Sequence, residues 1–221
     1  MVRQRRVAIV VDSSCCLPPD VPEVRAVHVV PHELVLDDQV YRDGIDIQPS
    51  QFYQLLKTNQ RVPTTSAPKP STFLEAFEKA SHEAESVLCL TLSANFSATY
   101  NSARVAAEMA ATKMPNVPIR VIDTHTAAGA HGLIALEAEL KAREGASLEQ
   151  VVARVEELVP KVQLLAFLDT LTYLQRGGRI PKVAAWAGSI LGIKPLTEMR
   201  MGVARLLEKP RSRAKATQRL L

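Results

Sequence analysis

The sequence VLCLTLSANFSATYNSA, residues 87–103, decides the fold that we predict for this chain. Residues 87–92 form an apolar run of strand length, and from Ser97 onward small and apolar residues recur with helical spacing. A strand that leads through a polar turn into a helix directs backbone N–H groups and hydroxyls at an anion. The hydroxyl of Ser97 is equally suited to cap its own helix, so both interpretations stay open. The turn consists of Ser93, Ala94, Asn95, Phe96 and Ser97.

Strands and helices alternate on both sides of this stretch, which predicts an α/β fold with a parallel sheet covered by helices on both faces. Residues 7–11 read as a buried strand that ends at Asp12, and residues 119–122 as another that ends at Asp123. Residues 62–72 contain three prolines and five hydroxyl residues, so we expect a loop there and no strand or helix.

The pattern changes after Pro160, and we place a domain boundary there. Residues 1–160 are expected to form the parallel-sheet domain with the binding loops. Residues 161–221 are expected to form a smaller, shortened domain with a mixed sheet, including an apolar run, a helix at residues 183–191 and a hairpin around Gly202.

Composition narrows the class of protein. With 221 residues, of which 47% are hydrophobic, the chain can bury a sizeable core. Three cysteines give neither an even number for disulfide pairs nor the spacing of a zinc site, and no apolar run is long enough to span a membrane, so we expect a cytoplasmic protein.

Residues 205–221 hold six Lys or Arg and one Glu, a net charge of +5, but no aromatic residue. We expect a solvated helix face there and no nucleic-acid partner.

Motifs for nucleotide binding, zinc proteolysis and serine hydrolysis are absent from the sequence. His125 and His131 do not share a helix face, so we expect a solvent-exposed pair, no metal site and no cofactor. Several hydroxyl-rich turns follow predicted strands and should gather at the carboxyl edge of the sheet, where α/β folds bind ligands. Hydroxyls and N–H groups suit a carboxylate or a phosphate.

Five motifs, in the same order along the chain, give the sequence its family resemblance. It resembles the DegV family of bacterial fatty-acid-binding proteins, the lipid-carrying subunits of fatty acid kinase. The motifs are VAIVVDSSCCLP (7–18), VPTTSAPKPSTF (62–73), SANFSATYNSA (93–103), VIDTHTAAGAHG (121–132), and LTYLQRGGRI with LGIKPL (171–180 and 191–196).

The resemblance implies a two-domain carrier that is not itself an enzyme. Such a protein binds a long-chain fatty acid and presents it to a separate kinase subunit, which carries ATP and forms an acyl phosphate. Thr65 and Ser97 would hold the carboxylate, and Ser66, Asn95 and Ala98 belong to the same two loops. Contact with a membrane surface would be transient.

Two further groups of residues are candidates for contact with the acyl chain and with the kinase or the acyl phosphate. Leu165, Phe167, Ile190 and Leu191 are candidates for lining a tunnel for the acyl chain, although ordinary core positions explain them equally well. Arg176 and Arg179 flank a Gly pair, and guanidinium groups suit phosphate, so this turn is expected to face the kinase or the acyl phosphate. A β-turn with two solvated arginines is the alternative.

The sequence departs from the family pattern in two ways. Ala98 and Ala130 stand where the family usually has Gly, and the sequence lacks the usual C-terminal part, which is expected either of a naturally short form or of a truncated chain. A different class of function also stays open, in which Asp12 is the nucleophile of a phosphate-ester or phosphotransfer enzyme. In that class a second Asp usually follows two positions on, where this chain has Ser14.

Overall fold

The structure is a computed structural model that describes residues 5–18, 21–36, 38–58, 63–179 and 193–221. The helix expected at residues 183–191 lies outside these ranges. A four-stranded parallel sheet, in the order β2-β1-β6-β7, lies at the centre. Its strands are β1 (Arg5–Asp12), β2 (His28–Val30), β6 (Ala84–Thr91) and β7 (Ile119–Asp123).

Helices cover both faces of this parallel sheet. In β1, Val7, Ile9 and Val11 belong to one hydrophobic cluster, whereas Ala8 and Val10 belong to the other. The strand is therefore buried on both faces, as its unbroken apolar run predicts. Helices α4 (Ala128–Arg143) and α5 (Leu148–Leu158) pack on the first face, and α2 (Pro70–Ser81) and α3 (Thr99–Lys113) on the second. The predicted α/β architecture is confirmed.

Two small antiparallel sheets complete the part of the fold that the structure describes. One has the order β4-β3-β5 and the other the order β10-β9-β8. The expected hairpin around Gly202 is the β9–β10 pair. The remaining elements are β3 (Glu33–Leu36), β4 (Gln39–Arg42), α1 (Pro49–Thr58), β5 (Thr64–Ser66), β8 (Leu164–Phe167), α6 (Thr172–Arg176), β9 (Leu196–Arg200), β10 (Val203–Glu208) and α7 (Arg213–Leu220). The division into residues 1–160 and 161–221 stays a prediction.

Strand β5 corrects the expectation of a loop at residues 62–72. Its three residues pair with β3, Leu34 opposite Thr65 and Glu33 opposite Ser66. The prolines of this segment flank the strand and do not interrupt it, so its N–H groups remain available for the edge of β3. Helix α2 then begins at Pro70, because proline at the first helical position has a suitable φ and needs no N–H partner.

Candidate functional site

A cavity of about 650 Å³ lies beyond the carboxyl edge of the parallel sheet, between that sheet and the two antiparallel sheets. One part of its wall is formed by the hydroxyl residues Thr65 and Ser66 of β5 and Ser97 in the turn after β6. Most of the remaining wall is apolar. Its members include Leu34, Phe52, Leu56, Leu92, Phe96, Leu164, Ala166, Leu168, Leu174 and Met199.

The structure thus brings Thr65, Ser66 and Ser97 to one cavity, although Thr65 and Ser97 are 32 positions apart in the sequence. Pairing with β3 fixes the position of Thr65, and the strand–turn–helix order fixes that of Ser97. Hydroxyl groups beside a large apolar wall suit a ligand with one polar end and a long hydrocarbon body.

Ser97 also serves the helix that follows it. Its hydroxyl accepts a hydrogen bond from the backbone N–H of Thr99, at 3.3 Å, and shares another with the Thr99 hydroxyl at 2.8 Å. Both interpretations of this residue, at the cavity wall and at its own helix start, are therefore compatible with the structure. The hydroxyl is held in place by the first residue of α3.

Asn95 and Ala98 lie in a second, outer groove that borders the same turn. The Asn95 side-chain amide donates a 2.9 Å hydrogen bond to the carbonyl of Gly202, and the N–H of Gly202 donates a 2.6 Å bond to the carbonyl of His125. Asn95 therefore joins the β9–β10 hairpin to the turn after β6. Neither Asn95 nor Ala98 lines the larger cavity.

The tunnel residues proposed on β8 are corrected by the structure. Leu164, Ala166 and Leu168 line the cavity, whereas Leu165 and Phe167 do not. Successive side chains of a strand point to opposite faces, so the cavity takes alternate residues and leaves Leu165 on the other face, 42% exposed. The ring of Phe167 packs against the guanidinium of Arg213. Ile190 and Leu191 lie outside the described residues.

The two arginines of the Gly177–Gly178 turn differ in their placement. Arg179 lines both the cavity and the outer groove, and its Nε donates to the carbonyl of Phe96 at 3.3 Å. A further guanidinium N–H of Arg179 donates to the carbonyl of Gly177. Arg176 ends α6 and is exposed to solvent. The structure therefore brings Arg179, but not Arg176, to the turn that contains Ser97.

Within the described residues, no helix is long and apolar enough to cross a membrane. The same residues contain no group of three or more His, Cys, Asp or Glu side chains placed to hold a metal ion.

The model of the DegV family, described as uncharacterised, matches residues 6–221 of this chain. The chain belongs to the DegV family. A DegV domain-containing protein of Streptomyces coelicolor is 38% identical over 217 residues, which cover 98% of this chain and 75% of that protein. The family resemblance inferred from the five motifs is confirmed.

Solved structures share this DegV fold. A stearic-acid-binding protein from Eubacterium ventriosum has a TM-score of 0.88 at 31% identity, over 97% of this chain and 74% of its own. The B3 protein of the Streptococcus pneumoniae fatty acid kinase, loaded with linoleic acid, has a TM-score of 0.82 at 25% identity. The match covers 97% of this chain and 76% of that protein. This chain therefore spans about three quarters of the length of these relatives.

Asp12 of this DegV family chain is a buried structural carboxylate. One oxygen, Oδ2, accepts the N–H of Leu92 at 2.8 Å, and the other accepts from the N–H and the hydroxyl of Ser14 and faces Nε2 of His32. Burial by itself raises the pKa of Asp12, but the hydrogen bond with His32, the nearby His131 and the Ser14 bond lower it to about 2. With its oxygens occupied and its side chain fully buried, Asp12 is poorly placed for the alternative role of nucleophile.

Two histidines near Asp12 have positions in the DegV fold that the sequence did not indicate. His131 is fully buried in α4, so the expectation of a solvent-exposed pair is wrong for this residue. Burial lowers the pKa of His131, against the opposing effect of the Asp12 charge. His32 lines the cavity beside Ser66, and only the placement of β3 next to β5 brings it there.

Proposed function

We propose that this chain binds a long-chain fatty acid, with the carboxylate held by Thr65 and Ser97 and the acyl chain in the apolar part of the cavity. The observation that carries the proposal is that these two hydroxyl residues, distant in sequence, line one largely apolar cavity. Two solved relatives are described as a stearic-acid-binding protein and a protein loaded with linoleic acid.

The free energies are compatible with this role. Burial of about ten methylene groups, at about 0.8 kcal/mol each, contributes about 8 kcal/mol before the cost of association. Hydrogen bonds to a carboxylate add less free energy, because the carboxylate must give up its bonds to water. In this proposal the acyl chain supplies most of the affinity, and the hydroxyl groups determine which end lies beside Ser97.

The binding proposal is tested by mass spectrometry of an organic extract of the purified protein, together with thermal unfolding. We expect a co-purified long-chain acid and a rise in Tm on addition of stearic acid, because a ligand that binds only the native state stabilises it. The fatty alcohol of the same chain length, which lacks the carboxylate, should raise Tm less. No acid in the extract, together with no shift in Tm on adding stearic acid, would contradict the proposal.

The proposal includes presentation of the bound acid to a separate kinase subunit. A carboxylate beside Ser97 would lie at the boundary between the cavity and the outer groove, since Ser97 and Arg179 border both. The groove would then give an ATP-carrying subunit access to the acid, and the guanidinium of Arg179 is suited to the phosphoryl oxygens. The kinase relative named among the solved structures supports this part of the proposal.

Substitution of Arg179 should separate presentation from binding. We expect Arg179→Ala to reduce kinase-dependent acyl phosphate formation by about tenfold or more, the effect of losing one charge-assisted hydrogen bond. Arg176→Ala, at the exposed end of α6, is the matched control and should change the rate much less. Acyl phosphate formation that is equal in the wild type and both variants would remove Arg179 from this role.

A further inference from the structure

His32 stands between two groups that can only accept hydrogen bonds. Its Nε2 lies 3.2 Å from Oδ1 of Asp12, and its Nδ1 lies 3.3 Å from the backbone carbonyl oxygen of Ser66. The side chain of His32 is 13% exposed and that of Asp12 is fully buried. The imidazole therefore lies at the cavity wall and is largely shielded from water.

The chemistry of these partners determines the protonation state that satisfies both contacts. The pKa of Asp12 is about 2, so its carboxylate is ionised near neutral pH and accepts only. A carbonyl oxygen also accepts only. Because neutral imidazole has a single N–H, both contacts are hydrogen bonds only when His32 is an imidazolium.

The two contacts join different parts of the site. Asp12 ends β1 of the parallel sheet, and Ser66 ends β5, the strand that carries Thr65. The backbone of His32 is held as well, because its N–H donates to the Ser13 hydroxyl at 3.1 Å. His32 thereby connects the carboxyl edge of the parallel sheet to the strand that presents Thr65 to the cavity.

We infer that Asp12 and His32 are positioning residues that hold β5, and with it Thr65, in the geometry that binds a carboxylate, and that this hold weakens when His32 loses a proton. The inference rests on the proposed function. Deprotonated His32 keeps its remaining N–H on the charged Asp12, so an Nδ1 lone pair then faces the Ser66 carbonyl. Fatty-acid affinity should therefore be lower when His32 is neutral than when it is an imidazolium.

Other charged groups surround His32 from several elements. His131 of α4 interacts electrostatically with both Asp12 and His32, and burial lowers its pKa. Asp43, after β4, lines the same cavity and donates its backbone N–H to the carbonyl of His32 at 2.9 Å. Glu33 of β3 accepts the Ser66 hydroxyl at 3.1 Å and pairs with Lys69. Of these groups, His32 and Glu33 contact β5 directly, and His32 also contacts the buried Asp12.

The first experiment needs neither a ligand nor a variant. In ligand-free protein, NMR at several pH values should show the amide signal of Ala67, whose peptide group contains the Ser66 carbonyl, shifting together with the ring signals of His32. The second experiment measures the Kd for stearic acid as the pH is raised. We expect the Kd to rise about three- to tenfold in the wild type, because the lost hydrogen bond of about 0.5–1.5 kcal/mol acts on the ligand only through β5.

His32→Gln cannot titrate, so its Kd should show only the pH dependence of the fatty acid itself. His82→Gln, at the exposed end of α2, is the matched control and should follow the wild type. An Ala67 signal that does not follow the His32 titration, or equal pH profiles in wild type and His32→Gln, would overturn the inference. If neither the wild type nor any variant binds stearic acid at any pH, the proposed function fails. The comparison of the Ala67 and His32 signals then still decides whether His32 holds β5.

Discussion

The double substitution Thr65→Ala/Ser97→Ala is expected to weaken binding of stearic acid by about a hundredfold or more. Each substitution removes a hydroxyl and its hydrogen bond to the ligand carboxylate, which is worth about 1.5–3 kcal/mol. Both losses act on the same carboxylate. Isothermal titration calorimetry or a competition assay with a fluorescent fatty acid measures the effect. Binding of the corresponding fatty alcohol should change much less, because the apolar wall remains intact.

The control for this variant removes two exposed hydroxyls elsewhere, in Ser71→Ala/Thr112→Ala on α2 and α3. This control should bind like the wild type. Since Ser97 also accepts the N–H of Thr99, its loss should lower stability by about 1 kcal/mol, which thermal unfolding detects separately. Unchanged stearic acid affinity in the folded double variant would contradict the proposed carboxylate site.

Filling the cavity at Ala166 is the second substitution with a large expected effect. Ala166 of β8 lines the cavity, so the indole of Ala166→Trp should occupy space needed by the acyl chain. If the indole displaces about three methylenes, the loss is about 2.4 kcal/mol, or about fiftyfold in Kd. The effect should grow with chain length, which a comparison of octanoic and stearic acids measures.

Leu165→Trp is the matched control for this substitution, because Leu165 is the neighbouring residue on the opposite face of the strand. It should leave the Kd for stearic acid close to the wild-type value. Equal losses in both variants would indicate general damage to the β8–β9 sheet, and no loss in Ala166→Trp would place the acyl chain elsewhere.

Much of the fold was predictable from local sequence because its signals are strong. The apolar runs of β1 and β6 predict strands buried on both faces, and these strands lie at the centre of the parallel sheet. The turns that follow such strands meet at one edge of the sheet. For this reason the position of Ser97 beside a ligand site could be predicted from the sequence, and the family motifs added Thr65.

Other features were not predictable because they depend on tertiary contacts. Residues 162–168 contain one polar residue in a run of apolar ones, so the sequence does not indicate which alternate set faces the cavity. Strand β5 exists because β3 offers it an edge, despite the neighbouring prolines. His32 and His131 look like ordinary polar residues until the folded chain places them around Asp12.

The central claim is that the carboxylate of a fatty acid lies between β5 and the turn after β6. A crystal structure of the protein with bound stearic acid tests this claim most directly. We expect one carboxylate within about 3 Å of both the Thr65 and the Ser97 hydroxyl oxygens, with the acyl chain running past Leu164 and Ala166. A carboxylate bound at another place, or an acyl chain outside this cavity, would contradict the account.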